Sequence, residues 1–334
     1  MFDSLKQAYM PDMIFPTRTV DGEKCSRCGR CVETCPCGGF TWTRGDVPVP
    51  VGFGGFEQAC INCENCVAVC PSGAISLSGS FSIGKGRYRT FLTGNMSVPN
   101  PFNQDEPHYE SFENDLTGIE RQIYTRRSSR LFKDKEVSKD LLNRILEAGR
   151  FAPSAGNCQP YAFVVITNQT VIHELESRAM TVLKLLKNAY LSKNVNRSLW
   201  KSLFFSLSSY LMVNKFDPRP ITAMDKADRN KGRMYFNAPC VILVLKNKNG
   251  VSNPDLDAGI CTQNMVLAAH SLGLGSCIVS LPMVPLSYPM MKGFRKKIGI
   301  DYPFEAVTSI AIGHPKGKID GIVERDTPPV TWID

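Results

Sequence analysis

The stretch CSRCGRCVETCPC, residues 25–37, sets Cys25, Cys28, Cys31 and Cys35 at intervals of three, three and four, with Pro36 next. Residues 60–71 repeat the pattern with Cys60, Cys63, Cys66, Cys70 and Pro71. Two residues between thiols let a tight loop wrap three of them around three corners of one metal cluster, while a short helical turn carries the fourth away to a second cluster. The doubled run therefore predicts two 4Fe-4S clusters with crossed ligands: Cys25, Cys28, Cys31 and Cys70 on one, and Cys60, Cys63, Cys66 and Cys35 on the other. Structural zinc is the alternative, because CxxC pairs also suit a tetrahedral metal. Zinc accounts for neither the doubling of the full run nor the two prolines. Cys37 falls outside the pattern and is expected to be a spare thiol. Residues 37–59, with GGF and VPVPVGFGGF, read as an irregular loop insertion.

A chain of 334 residues suits two domains, and 43% hydrophobic with 21% charged residues is ordinary for a folded protein with a sizeable core. The opening MFDSLKQAYMPDM lacks a basic segment followed by an apolar one, and the apolar stretch 199–213 is broken by Lys201 and several serines. A cytoplasmic protein without a membrane span is expected. Thirteen cysteines in a reducing compartment argue for metal ligation over disulfides.

A cluster module stores and passes electrons, so the acceptor should lie further along. Residues 84–107 read as a linker, and the expected division is a cluster domain at 1–90, a linker at 91–114 and a second domain at 115–334. Beyond the linker, residues 115–124 read as a short helix running into RRSSRLF, and Ser138 can cap a helix with Leu141, Leu142, Ile145 and Leu146 on one face. Strands are expected at 162–166, 240–245 and 306–312, a long helical zone at 171–213, and an apolar helix at 257–272 that should be buried, with a subunit interface as one place for it. Arg126, Arg127 and Arg130 with Ser128 and Ser129 offer forked donors and hydroxyls within one helical turn, which suits a phosphate dianion; a solvated basic face is the alternative. Gly84-x-Gly86 and Gly273-x-Gly275 do not complete a dinucleotide fingerprint, and neither HExxH nor GxSxG occurs. The formal charge of +8 is no nucleic-acid signal. Two clusters of about −2 each reduce it to about +4, a bound phosphate group to about +2, and basic and aromatic residues do not interleave.

These residues resemble a known combination. Residues 25–71 resemble a two-cluster bacterial ferredoxin, and the segment from about residue 112 onward resembles the nitroreductase family of FMN-dependent reductases. The resemblance implies an α+β fold: a small two-cluster domain, then a central mixed sheet flanked by helices. It implies that Arg126, Arg127, Ser128 and Arg130 hold the FMN phosphate and ribityl chain. PSAGNCQP, with Pro153, Ser154, Ala155, Asn157 and Gln159, would face the isoalloxazine from the partner subunit of a homodimer. DAGICTQNMVLAAHSLGLGSC, containing Ser276, resembles the family's interface helix and following strand, whose continuation through Ser280 and Leu281 would approach flavin N5 and O4. Gly313-His314-Pro315 looks like the family's GYP, after which Lys316, Lys318 or Arg325 would return to the phosphate. The chain departs from the pattern at IVERD, where a Lys/Arg pair is common, and at Ile278 and Ser280, where Trp and Gly are common. Arg233 is a further candidate flavin contact, with a surface arginine as the alternative.

The expected activity is an FMN-dependent oxidoreductase in which the clusters exchange electrons with FMN, which reduces nitroaromatics, quinones or similar electron-poor acceptors. The donor would be NAD(P)H or a reduced ferredoxin or flavodoxin. No side chain need be an obligatory acid or base, so no catalytic residue is assigned. The rivals are an electron-transfer relay without small-molecule turnover, and a specific dehalogenase or enoate reductase on the same scaffold. No nucleic-acid or membrane partner is expected.

Overall fold

In the computed structural model, the described residues are 12–14, 16–51, 60, 63–78, 82–84, 113–191, 227, 233–317 and 333. Chain contacts divide the protein into two units, one of Met1–Asp115 with Asn188–Ala223 and Asp320–Asp334, the other of Leu116–Lys187 with Met224–Ile319.

Among the described residues the first unit has six short strands: β1 (Asp12–Ile14), β2 (Thr17–Val20), β3 (Phe40–Thr41), β4 (Val49–Pro50), β5 (Ile75–Ser78) and β6 (Ser82–Gly84). They pair antiparallel as β1 with β6, β2 with β5, and β3 with β4. Between β2 and β5 run the two cysteine segments, each with a short helix, Arg30–Thr34 and Asn65–Ala68. Both helices are entered through a left-handed residue at the same place in its run, Gly29 at φ 70° and Glu64 at φ 52°. That backbone reversal folds the preceding loop back on itself. The insertion at 37–59 is less irregular than its composition suggests: β3 and β4 form a hairpin, and Trp42 Nε1 donates to the Asp46 carbonyl at 2.8 Å across its turn.

In the second unit β7 (Tyr161–Ile166), β8 (Cys240–Asn247), β9 (Gly275–Ile278) and β10 (Phe304–Gly313) form one sheet in the order β7-β8-β10-β9. All three pairings are antiparallel; among the described residues the parallel part of the sheet is the Ser128–Ser276 bridge. β8 is apolar along most of its length because both of its faces are covered. Cys240, Ile242 and Val244 pack with helices Lys139–Arg150 and Pro254–Ser271, while Val241, Leu243 and Leu245 pack on the face that meets helix Gln169–Leu191. The three expected strands and the apolar helix are present with small shifts at their ends. Helix Gln169–Leu191 accounts for the first part of the long helical zone; residues 192–213 lie outside the described residues, as do 91–112 of the linker.

Local chemistry sets the element ends. Thr117 and Glu120 form a reciprocal capping box at helix Gly118–Thr125, and Ser138 Oγ accepts from Leu141 N at the next helix. Buried Glu176 accepts from the backbone N–H groups of Met234 and Tyr235 at 2.7 and 2.8 Å and pairs with Arg233 at 3.2 Å, anchoring the approach to β8. Among the described residues no helix is long and apolar enough to cross a membrane.

Candidate functional site

The cysteines gather across their runs. Burial pushes the Cys31 thiol up to about 12, and the neighbouring sulfurs of Cys28, Cys70 and Cys25 push the same way. Cys66 is raised further, first by burial and then by Cys63, Cys35 and Cys60. Each group is three cysteines of one run plus the fourth of the other. Sulfurs crowded and desolvated in this way ionise readily only beside a strong cation, which cluster iron supplies. Backbone donors already point at several of them: Gly39 N–H to Cys35 Sγ at 3.1 Å, Ala74 N–H to Cys70 Sγ at 3.2 Å, and Arg27 N–H to Cys25 Sγ at 3.4 Å. The first two occupy equivalent places in the two runs. Among the described residues no trio of His, Cys, Asp or Glu is placed to hold a single metal ion, so the quartets are defined by mutual electrostatic influence and not by ligand distances. Cys37 is buried in the same core, outside both quartets.

The arginine segment lies along the end of β9 and the turn after β10. Ser128 bridges Ser276, and Ser129 N–H donates to the Ser276 carbonyl at 2.8 Å. Lys133 N–H donates to the His314 carbonyl at 2.8 Å and Lys316 N–H to the Leu131 carbonyl at 2.9 Å, with Phe132 bridging Pro315. Arg126, Arg127, Ser128, Arg130, Ser276, Gly313, His314 and Lys316 are thereby brought to one edge of the sheet. Arg127 is 6% exposed, and the guanidinium of Arg130 lies 5.8 Å from the ring of Phe236. Ser276, 2% exposed, has a buried hydroxyl with no hydrogen-bond partner among the described residues. A buried hydroxyl costs stability unless something bonds it. The Ser276 strand bridges Ser128, the residue after buried Arg127, and hydroxyls and guanidinium groups are donors that suit a phosphate group.

Close approach explains Gly275, which belongs to no dinucleotide motif: a methyl there would lie 2.7 Å from Ser129 Cβ and 2.8 Å from its Oγ. Gly275→Ala is expected to push the arginine segment off β9, lowering stability by about 1–3 kcal/mol and weakening anion binding in step. Denaturant unfolding with and without inorganic phosphate would read both effects, and an unaltered midpoint would refute the close approach.

His270 closes the cradle from the end of helix Pro254–Ser271. Thr125 Oγ1 donates to the Arg121 carbonyl at 2.7 Å, so it accepts from His270 Nε2–H at 2.9 Å. Burial, then the charges of Arg126 and Arg127, hold the imidazole below its usual value. The folded state keeps His270 neutral at pH values where the unfolded chain takes up a proton. Its contribution is therefore complete above about pH 6.5 and is lost as pH falls below that value toward the folded one. Thermal unfolding between about pH 7.5 and 5.5 should show a decline that is shallower in His270→Gln; equal slopes would exclude His270 as a cause.

The PSAGNCQP segment lies elsewhere. It is a short 3-10 turn, Ala155–Asn157, with Gly156, Asn157 and Gln159 at positive φ, held by a bond from Gln159 N–H to Ser154 Oγ at 2.9 Å. Pro153, Asn157 and Gln159 are exposed, and Ser154 and Ala155 are half-exposed. Pro160 accepts from Asn247 N–H, at the end of β8 opposite Cys240. From Cys240, level with Ile312 and so with Ser276, to Lys246, level with Tyr161, β8 makes six steps of about 3.3 Å, about 20 Å in all. One chain thus holds the two expected halves of its flavin site at opposite ends of the sheet. Ser280 is exposed and shares a 2.8 Å hydroxyl contact with Thr308, while Leu281 packs beside Met180 and Leu183. Arg233 is engaged by Glu176. Arg325 and Lys318 lie outside the described residues. Sequence reading missed the Ser129–Ser276 bond, Thr125 with His270, and Arg18 in the first unit; the spacing of Gly273 and Gly275 was the only signal near the first of these.

Comparison with known proteins gives this arrangement its class. Residues 123–314 match the model of the nitroreductase family, and residues 24–75 match that of the 4Fe-4S dicluster domain. The chain belongs to the nitroreductase family and carries a 4Fe-4S dicluster domain ahead of the family's segment; it is an oxidoreductase. Among its relatives, a protein of Archaeoglobus fulgidus provisionally named NADH dehydrogenase/NAD(P)H nitroreductase is 28% identical over 200 residues, covering 60% of this chain and 87% of the relative. The 4-nitrobenzoate reductase of Pseudomonas putida is 25% identical over 174 residues, 46% of this chain and 69% of that protein. A crystal structure of a nitroreductase with bound FMN from Desulfitobacterium hafniense is 23% identical and aligns over 66% of this chain and 100% of its own, with a TM-score of 0.49.

Proposed function

We propose that the protein is an FMN-dependent reductase of small electron-poor acceptors, such as nitroaromatics or quinones, and that its dicluster domain exchanges electrons with FMN. The observation that carries the reading is the buried Ser276 hydroxyl without a partner among the described residues, set against the arginine segment in a chain that also gathers two cysteine quartets. FMN, when bound, supplies hydride or electron transfer, and the clusters supply single electrons.

The chain's own residues bind and orient. Arg127, Arg126 and Arg130, with the hydroxyls of Ser128 and Ser276, hold the phosphate end; Lys316 and Arg325 are proposed as further cations for it. His314 and Lys316 fix the segment by main-chain bonds, Gly313 leaves room for Phe132, and the backbone through Ser280 and Leu281 borders the ring. Pro153, Ser154, Ala155, Asn157 and Gln159 come from the other chain of a homodimer. This assignment is supported by their exposure and by the length of β8, which keeps them from their own chain's cradle. The eight cysteines hold the clusters in the crossed sets. The proposed boundaries remain 1–90 for the cluster domain and 115–334 for the FMN domain, in a cytoplasmic protein.

Anaerobic titration with NADH, NADPH and a reduced ferredoxin, following flavin and cluster absorbance together, tests the reading. Bleaching of both by one donor and recovery of both on adding a nitroaromatic or quinone is expected. Bleaching without recovery by any small acceptor would leave the relay as the function.

A further inference from the structure

We propose that Arg18 separates the two clusters in potential, raising that of the cluster held by Cys35, Cys60, Cys63 and Cys66, so that this cluster takes the first electron to enter the domain. The proposal rests on the dicluster reading and concerns what this chain adds to it.

Arg18 lies on β2, opposite Leu77 of β5, and is 7% exposed. Its described neighbours are a carbonyl, a ring and a glycine. Nη2 donates to the Val51 carbonyl at 3.1 Å, and the guanidinium carbon lies 5.2 Å from the centre of the Phe40 ring. Its flat end rests on Gly39 so closely that a methyl there would fall 1.7 Å from Nη1. Among the described residues no carboxylate pairs with it. A guanidinium taken out of water without an anion is strongly disfavoured, so the structure calls for a negative group nearby.

Gly39 points to that group. Its N–H donates to Cys35 Sγ at 3.1 Å, so one glycine separates the guanidinium from a ligand of the second quartet, and the charge of Arg18 also acts on Cys66 of the same quartet. A four-iron cluster with four thiolates carries about −2 and becomes more negative on taking an electron. A buried cation therefore favours the reduced form, and low local polarity strengthens the effect. The other quartet has Lys24, Arg27 and Arg30 close by in sequence, but Lys24 and Arg27 are exposed and Arg30 is only half-buried, so water and salt screen them more than they screen Arg18. The asymmetry lies in burial and not in the number of cations.

The test is an anaerobic redox titration of the full cluster-loaded chain, followed by EPR, with Cys28→Ser and Cys63→Ser assigning each signal to its cluster. In Arg18→Gln the Cys63-linked cluster should lose at least tenfold in its reduction equilibrium, about 59 mV for one electron, with the other cluster unmoved. Arg18→Lys, which keeps the charge but not the fork, should lie between. Equal movement of both clusters, movement of the Cys28-linked cluster alone, or no movement would overturn the proposal. Should Arg18→Gln not take up iron, a half-reduced sample of the unaltered protein decides: the electron must sit on the Cys63-linked cluster, and finding it on the other refutes the role of Arg18. An iron content of the unaltered protein well below about eight per chain would instead sink the dicluster reading.

Discussion

Cys70→Ser is expected to remove the cluster of the run to which Cys70 does not belong. The sulfurs of Cys28, Cys70 and Cys25 raise Cys31, and those of Cys63, Cys35 and Cys60 raise Cys66, which supports the proposal that the fourth ligand of each set comes from the opposite run. The variant should lose about four of about eight irons per chain. The partner substitution identifies which four. Adding Cys28→Ser to Cys70→Ser should cost no further iron, because both strike one cluster, whereas adding Cys63→Ser should remove the remainder. Two groups that act as a unit are non-additive, and two that act on separate sites add. The reverse pattern, with Cys63 redundant and Cys28 additive, would mean that each run closes on its own metal. Anaerobic purification followed by iron and sulfide assay is sufficient.

The second large effect concerns the divided flavin site. Arg127→Ala removes a buried guanidinium from the cradle and should lower FMN affinity by about 30–1000-fold, the range for losing a charge-assisted pair. Asn157→Asp with Gln159→Glu places negative charge on the exposed turn at the far end of β8 and should also abolish FMN retention, by repelling the ring's electron-rich carbonyl edge. Neither variant alone should hold flavin. When both are co-expressed, the mixed dimer has one site in which both halves are unaltered, and random pairing makes such sites about a quarter of the total. Recovery of roughly that fraction of bound FMN is the expected result. No recovery, with dimers confirmed, would place both halves in one chain and contradict the reading drawn from strand length.

The sequence displayed some of this directly and hid the rest for physical reasons. The dicluster domain was legible because loop closure around a cubane leaves a fixed spacing in the chain. β7 and β8 were legible as apolar runs, β8 because both of its faces are covered, and β10 through its buried end Ile310, Ala311 and Ile312. The helix after Ser138 announced itself through its cap and its apolar face. Long-range main-chain bonding leaves no such trace. Nothing local to Ser129 says that its N–H will meet the carbonyl of Ser276, or that Lys316 will return to Leu131. Arg18 was invisible for a related reason: in TRTV it is one more polar residue, and only the approach of Gly39 and Val51 makes it an interior cation. The short hairpin β3–β4 was masked by glycine and proline, whose frequency argues for a loop wherever pairing is brief.

The proposed exchange of fourth ligands would also impose an order in time. As the chain is synthesised from its first residue, Cys25, Cys28 and Cys31 are made long before Cys70, which completes their set. Cys35 is likewise made early and waits for Cys60, Cys63 and Cys66. With these sets neither cluster would be closed by four ligands while only the first run is made, so iron delivered early would meet three thiols and an open corner. The two insertions come due within one short interval, when the second run emerges. A nascent chain stalled between the runs would be an unfinished and oxidisable product, whereas one stalled just after residue 70 would carry every ligand for both.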